Sequence, residues 1–168
     1  MAKKKKFKLD LRVLLSVTAV ILAIVAVCMA FAPAAVVENT KVTYKGWQLA
    51  FGYKYSKTVF GTELGVEVFK FSFMNVLPYL LLLAGIVFGV LSVAGKLGKL
   101  SGFISSGCFL AGGVLYFCVV PMCIPASSVD AVGEIVKENL VIGAGAVVAG
   151  VLSILAAAAT AAKLFVKN

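Results

Sequence analysis

The sequence predicts an all-α membrane protein: a four-transmembrane-helix bundle with a small antiparallel β-sheet in its first external loop. Three observations lead to this prediction. Hydrophobic residues make up 62% of the 168 residues and charged residues only 14%, whereas a soluble domain is roughly half apolar and a quarter charged. Four long stretches contain no charged residue, and the excess of basic residues lies on one side of a four-span topology.

The four uncharged stretches define the spans. They lie between Arg12 and Glu38, Lys70 and Lys96, Lys99 and Asp130, and Glu138 and Lys163. Each is longer than the ~20 residues that a helix needs to cross about 30 Å of hydrocarbon. Because lipid offers no hydrogen bonds to the backbone, each stretch is expected to be helical. We place the spans at 12–33, 73–94, 100–120 and 139–163, within one domain that covers residues 1–168.

The net charge of +9 comes from one side of this topology. Ten basic residues and Asp10 fall on the side that holds both termini and give +9, while the six basic and six acidic residues on the other side cancel. By the positive-inside rule, both termini are expected in the cytoplasm and the protein in the plasma membrane. The expected partner of the basic side is the lipid bilayer, with anionic lipid attracted at about 1 kcal/mol for each basic residue. Topology explains the charge without nucleic acid.

The first span resembles a signal peptide in having basic residues, Lys3 to Lys8, before an apolar core. That core, Val13 to Phe31, is longer than the 7–15 residues of a signal peptide, and Pro33 directly follows the best Ala-x-Ala sequence. We therefore interpret the span as a retained anchor.

The first external loop, residues 34–71, is the only sizeable polar segment. β-branched and aromatic residues alternate there with glycines, which predicts two to four short antiparallel strands. Because a lone hairpin is marginally stable in water, this sheet should lean on the helix ends or on lipid. The candidate interaction residues are Trp47, the only tryptophan, with Tyr44 and Phe51. The simpler alternative for Trp47 is a place in the small core of the sheet, and we expect it to be at least half buried.

The second external loop, residues 121–138, contains Ser127-Ser128-Val129-Asp130, a pattern that predicts a helix N-terminus. We expect a short amphipathic helix there, leading into the fourth span.

Three of the spans carry faces of small residues, which let helix backbones approach closely in a membrane. In span four this face is expected to lie against the bundle, with Val148, Leu152 and Leu155 facing lipid or a partner. The residues predicted to mediate helix packing are Gly85, Gly89, Gly102, Ser106, Ala146, Gly150, Ser153 and Ala157.

The residues that membrane enzymes and transporters use are missing. The uncharged stretches offer no aspartate, glutamate, lysine or arginine and the chain has no histidine, so the usual proton relay, a histidine base of a hydrolase or a histidine metal site has no residues to form it. We expect no catalytic site, no cofactor and no metal. Cys28, Cys118 and Cys123 would lie towards the outer surface, either joined in a disulfide or packed as small apolar residues.

One family resemblance is carried by Tyr44-Lys45-Gly46-Trp47-Gln48-Leu49 in a long, strand-rich first external loop that precedes a shorter second one. This organisation resembles the claudin and peripheral-myelin group of four-span membrane proteins. The resemblance implies a β-sheet in the first loop and a functional role for Trp47.

These observations favour a structural or accessory subunit that acts by contact, through its helix bundle and external loop, on itself or on another membrane protein. The alternative is a small oligomeric channel or transporter component with polar residues lining its pore. A third hypothesis is a lipid-binding protein with a cleft between helices. The pore-lining candidates are Asn75, Ser105, Ser106 and Ser153.

Overall fold

A computed structural model describes residues 11–59, 62–94, 98–126 and 139–166. These residues form five α-helices, a 3₁₀ turn at Met29–Phe31 and six β-strands. Four of the helices are long and apolar enough to cross a membrane, which confirms the predicted number of such helices. The helices are α1 (Leu11–Cys28), α2 (Gly46–Phe51), α3 (Phe73–Val93), α4 (Gly98–Phe117) and α5 (Ala144–Phe165).

The four long helices form a bundle in which α4 packs along both α3 and α5, while α1 packs against α5 and less extensively against α3. We call the end that carries the β-strands the strand end, and the opposite end, where α1 begins and α5 ends, the terminus end. The bundle core combines three large side chains, Leu82, Phe109 and Tyr116, with alanines from α1 and α5. The alanines allow α1 and α5 to approach closely.

The strand end holds two three-stranded antiparallel sheets in place of the single sheet that was predicted. Sheet A has the order β2 (Thr43–Lys45), β1 (Pro33–Val37), β6 (Leu140–Ile142). Sheet B has the order β3 (Tyr53–Val59), β4 (Thr62–Lys70), β5 (Ile124–Pro125). Each sheet thus takes one strand from the segment between α4 and α5. In each sheet this extra strand pairs with the edge of the central strand that a two-stranded hairpin would leave unpaired. The extra strand is β6 beside β1 in sheet A and β5 beside β4 in sheet B.

Two predicted span boundaries differ from the structure by five residues. The first helix ends at Cys28 and the chain is extended from Pro33, although the apolar run continues. The last helix begins at Ala144 rather than 139, because Leu140–Ile142 pairs with β1 instead. The short helix predicted in residues 127–138 lies outside the described residues.

The residues predicted for helix packing lie inside the bundle. Seven of the eight are buried and Ser106 is half-buried. On the opposite face of α5, Val148 and Leu155 are 42% and 50% exposed. Leu152, expected on that exposed face, is instead partly buried against the bundle core. The exposed side of α5 also includes Val147, Val151 and Ile154, so it is rotated about the helix axis relative to the predicted face.

Candidate interaction surface at the strand end

Helix α2 presents two large apolar side chains to the surroundings at the strand end. Gly46, Leu49 and Ala50 form its buried side, while Trp47 is 36% exposed and Phe51 is 61% exposed. Residues four apart lie on the same side of a helix, so Trp47 and Phe51 share the outer face. Trp47 is more than half buried, as expected, but it lies in a helix and not in a sheet.

Helix α2 is held by hydrogen bonds from the start of α3. The Asn75 side-chain nitrogen donates to the Leu49 carbonyl at 3.3 Å, and the Ser72 backbone N–H donates to the Ala50 carbonyl at 3.0 Å. The Ser72 hydroxyl donates to the Met122 carbonyl at 2.7 Å, so the same turn also holds the chain that leaves α4. Ser72 and Asn75 are each 1% exposed. These buried bonds fix the position of the outer face of α2.

The lack of space around residue 46 explains why a glycine directly precedes Trp47. A Cβ atom at this position would collide with the Tyr79 hydroxyl and would lie 3.3 Å from the Ala30 backbone. At the other end of α2, Gly52 has a φ of +90°, a conformation that side chains other than glycine rarely adopt. Helix α2 is therefore bounded by two positions that require glycine.

Three more exposed aromatic rings lie in the segments of the chain before and after α2. The Phe51 and Phe71 rings lie 6.4 Å apart between centroids, so Phe71 extends the outer face of α2. Phe31 and Phe73, at the strand ends of α1 and α3, are 71% and 58% exposed. Of the exposed rings in and around α2, Trp47 is of the type that is enriched at the membrane–water interface.

Tyr44 lies at the junction of the two sheets and not on the outer face. Its ring meets Phe69 edge-on at 4.8 Å and Tyr53 at 6.1 Å between centroids. Phe69 is 1% exposed, so Tyr44 joins β2 of sheet A to the core beneath sheet B. Burial, together with the neighbouring Tyr53, raises the pKa of Tyr44. The sequence suggested an interaction role for Tyr44, but its visible role is to align the sheets.

The described residues contain no cluster of three histidine, cysteine or acidic side chains that could bind a metal ion. All four cysteines lie within the described ranges and are thiols in this structure. Cys28 is exposed and Cys123 is buried.

Comparison of the chain with protein-family models, with curated proteins and with solved structures found no match. The function is therefore argued from the chemistry of the surface itself.

We expect Gly46→Ala to loosen α2 from the bundle, since the new methyl group collides with the Tyr79 hydroxyl. The loss of stability should be about 1–3 kcal/mol. Tyr79→Phe removes that hydroxyl and should restore part of the loss in the double variant. Trp47 is the only tryptophan, so its fluorescence reports on α2 directly, and its emission should shift to the red in Gly46→Ala. The control is Gly65→Ala, because a Cβ at Gly65 meets nothing within 4 Å. A red shift of equal size in both single variants would contradict this account.

Proposed function

We propose that this chain is a multi-pass plasma-membrane protein that acts without catalysis, as an accessory subunit that binds another membrane protein through the strand end. The observation that carries the proposal is the outer face of α2. Trp47 and Phe51 are exposed there while the backbone beneath them is held by buried hydrogen bonds. Large aromatic side chains in fixed positions are typical of the residues that dominate binding energy at protein interfaces.

The proposed orientation places the strand end outside the cell and the terminus end in the cytoplasm. In the topology predicted from the sequence, ten of the sixteen basic residues fall on the side that holds both termini, with Asp10 as the one acidic residue of that side. Lysine and arginine near the ends of spans favour the cytoplasmic side.

A channel would need polar side chains available to line a pore. The hydroxyl groups of Ser105 and Ser106 donate to the carbonyls of Gly85 and Ala157, at 2.7 and 3.0 Å. Ser153 donates to a carbonyl of its own helix at 2.7 Å. Because these bonds lie within one copy of the bundle, we rank the accessory role above the channel.

The test uses the full chain in its native membrane. A photoreactive amino acid at position 47 should give one discrete cross-linked product on illumination. The same amino acid at position 114, where Val114 is 51% exposed on α4, should give lipid adducts alone. In pull-downs from mild detergent, Trp47→Ala should weaken capture of that partner by roughly thirtyfold, as for a residue worth about 2 kcal/mol at an interface.

Two results would oppose the accessory role. One is the same set of products from positions 47 and 114. The other is ion flux through the purified chain in liposomes, which would favour the channel.

A further inference from the structure

Strand β3 forms a long open edge of sheet B. The sheet has the order β3, β4, β5, so the residues Tyr53–Val59 pair with β4 alone within the described chain. The other edge strands are shorter, because β2 and β6 contain three residues each and β5 contains two. An edge strand presents backbone N–H and C=O groups with which a further strand can pair. Of the described strands, β3 therefore offers the longest such edge.

Apolar side chains are uncovered next to this edge. Tyr55 of β3 and Val66 of β4 lie directly opposite each other, and each is 52% exposed. Phe51, the exposed ring at the end of α2, precedes the first residue of β3 by two positions. A strand added along β3 would therefore run beside Tyr55 and reach the outer face of α2 at one of its ends.

The charge of β3 selects what can pair with it. The strand carries Lys54 and Lys57 and no acidic residue. Glu67 lies opposite Lys54 in the hairpin, whereas Leu64 lies opposite Lys57, so one basic charge is not offset by a directly opposite residue. Pairing of two copies of β3 would bring four lysines and no acid together, and like charges on paired strands are destabilising. The same lysines attract a strand that carries acidic residues.

We propose that the partner bound at the strand end contributes an extended, acidic segment, which pairs with β3 and becomes the fourth strand of sheet B. This inference rests on the proposed accessory function and gives the chemistry of the partner. Main-chain hydrogen bonds provide the affinity for a strand added in this way, and its side chains provide the specificity. The lysines of β3 contribute twice to that specificity, since they attract an acidic strand and repel a second copy of β3.

The test places a photoreactive amino acid at single positions of the full chain in its native membrane. Positions 55 and 66 form a matched pair, because Tyr55 and Val66 are equally exposed and directly opposite in the hairpin. An added strand lies about 4.8 Å from β3 and about twice as far from β4. Position 55 should therefore give the product obtained from position 47, and position 66 should give none. Probes at Lys54 and Ser56, both exposed, should cross-link to partner residues two positions apart in a segment that contains aspartate or glutamate.

Charge reversal tests the chemistry of the segment. Lys57→Glu should lower capture of the partner in mild detergent about tenfold, as expected when one cross-strand charge pair changes from attraction to repulsion. Lys41→Glu, between β1 and β2, is the control and should leave capture within about twofold, with melting temperatures as the check of folding.

Four results would overturn the proposal. Equal yields from positions 55 and 66 would mean docking on the face of the hairpin, and a product made of two copies of this chain would mean self-association. Equal losses in the two lysine variants would mean that charge near β3 has no special part. A product from position 47 without one from position 55 would overturn strand pairing but leave the accessory function in place, whereas the absence of both products would overturn both.

Discussion

Gly85→Leu is expected to be among the most damaging substitutions in the bundle, at about 3 kcal/mol or more of stability. A Cβ at this position would lie 2.5 and 2.6 Å from two ring atoms of Phe109. Phe109 is fully buried in the core, so its ring cannot move aside without displacing Leu82 and the neighbouring helices. Because α3 and α4 pack directly at this point, a leucine forces them apart.

Two leucine variants provide a matched series. At Gly150 the obstacle is the ring of Phe117, which would lie 2.6 Å from an added Cβ. That ring is 40% exposed and can turn outward, so Gly150→Leu should cost only about 1–3 kcal/mol. At Gly107 nothing lies within 4 Å, and leucine favours helices more than glycine does, so stability should stay equal or rise. Thermal melts in detergent measure the order of stability of the three leucine variants. If Gly107→Leu proved as destabilising as Gly85→Leu, the assignment of the buried faces of α3 and α4 would be wrong.

Gly145→Val is expected to cost about 3 kcal/mol, for a different reason. The first turn of α5 crosses the chain that leaves α1, and a Cβ on Gly145 would lie 2.6 Å from the Pro33 carbonyl oxygen and 2.8 Å from the Ala32 Cβ. These atoms belong to the backbone or to its first side-chain carbon, and no rotamer change can move them. The valine must therefore separate α5 from β1.

The control for Gly145→Val is Ala144→Val, one residue earlier and exposed. Both variants place a β-branched residue in the same helical turn, so their difference isolates the steric contact. The melting temperature of the control should lie within a few degrees of the parent protein. If Gly145→Val and Ala144→Val had the same melting temperature, α5 and β1 would have to lie farther apart than they do in the structure.

The four long helices could be predicted because lipid imposes a simple requirement on sequence. A span must be long and uncharged, and four such stretches are separated by the lysines and acids of the loops. The buried faces were also predictable, since glycine, alanine and serine recur at helical spacing in α5. Leu152 was placed wrongly because residue spacing alone does not fix how the helix is rotated about its axis within the bundle.

The sheets could be predicted only in part. The β3–β4 hairpin has the β-branched and aromatic composition of strands, but Leu140–Ile142 and Ile124–Pro125 are too short for any periodic signal. Whether Leu140–Ile142 extends the last helix or pairs with β1 depends on a partner strand far away in the sequence. Helix α2 was missed for a similar reason, because its hydrogen bonds to Asn75 and Ser72 are tertiary.

The residues of the candidate surface could likewise be predicted only in part. Trp47 and Phe51 could be singled out by residue type, and both are exposed. Tyr44 could not be separated from them, since its burial depends on Phe69 of the other sheet. Arg12 and Val166 come from opposite ends of the chain, and only the closed bundle lets the Arg12 side chain donate to the Val166 carbonyl.

The pairing of β1 with β6 also sets the order in which the protein is completed during synthesis. Asn39 and Asn139, next to these strands, are joined by a side-chain hydrogen bond of 2.9 Å across 100 positions of the chain. The ribosome releases β1 and β2 early, and one edge of β1 then stays unpaired until Leu140–Ile142 has been made. Sheet B needs only the segment that follows α4. A nascent chain stopped before residue 140 thus has all three strands of sheet B but leaves one edge of β1 in sheet A open, and an open strand edge is a template for pairing with another chain.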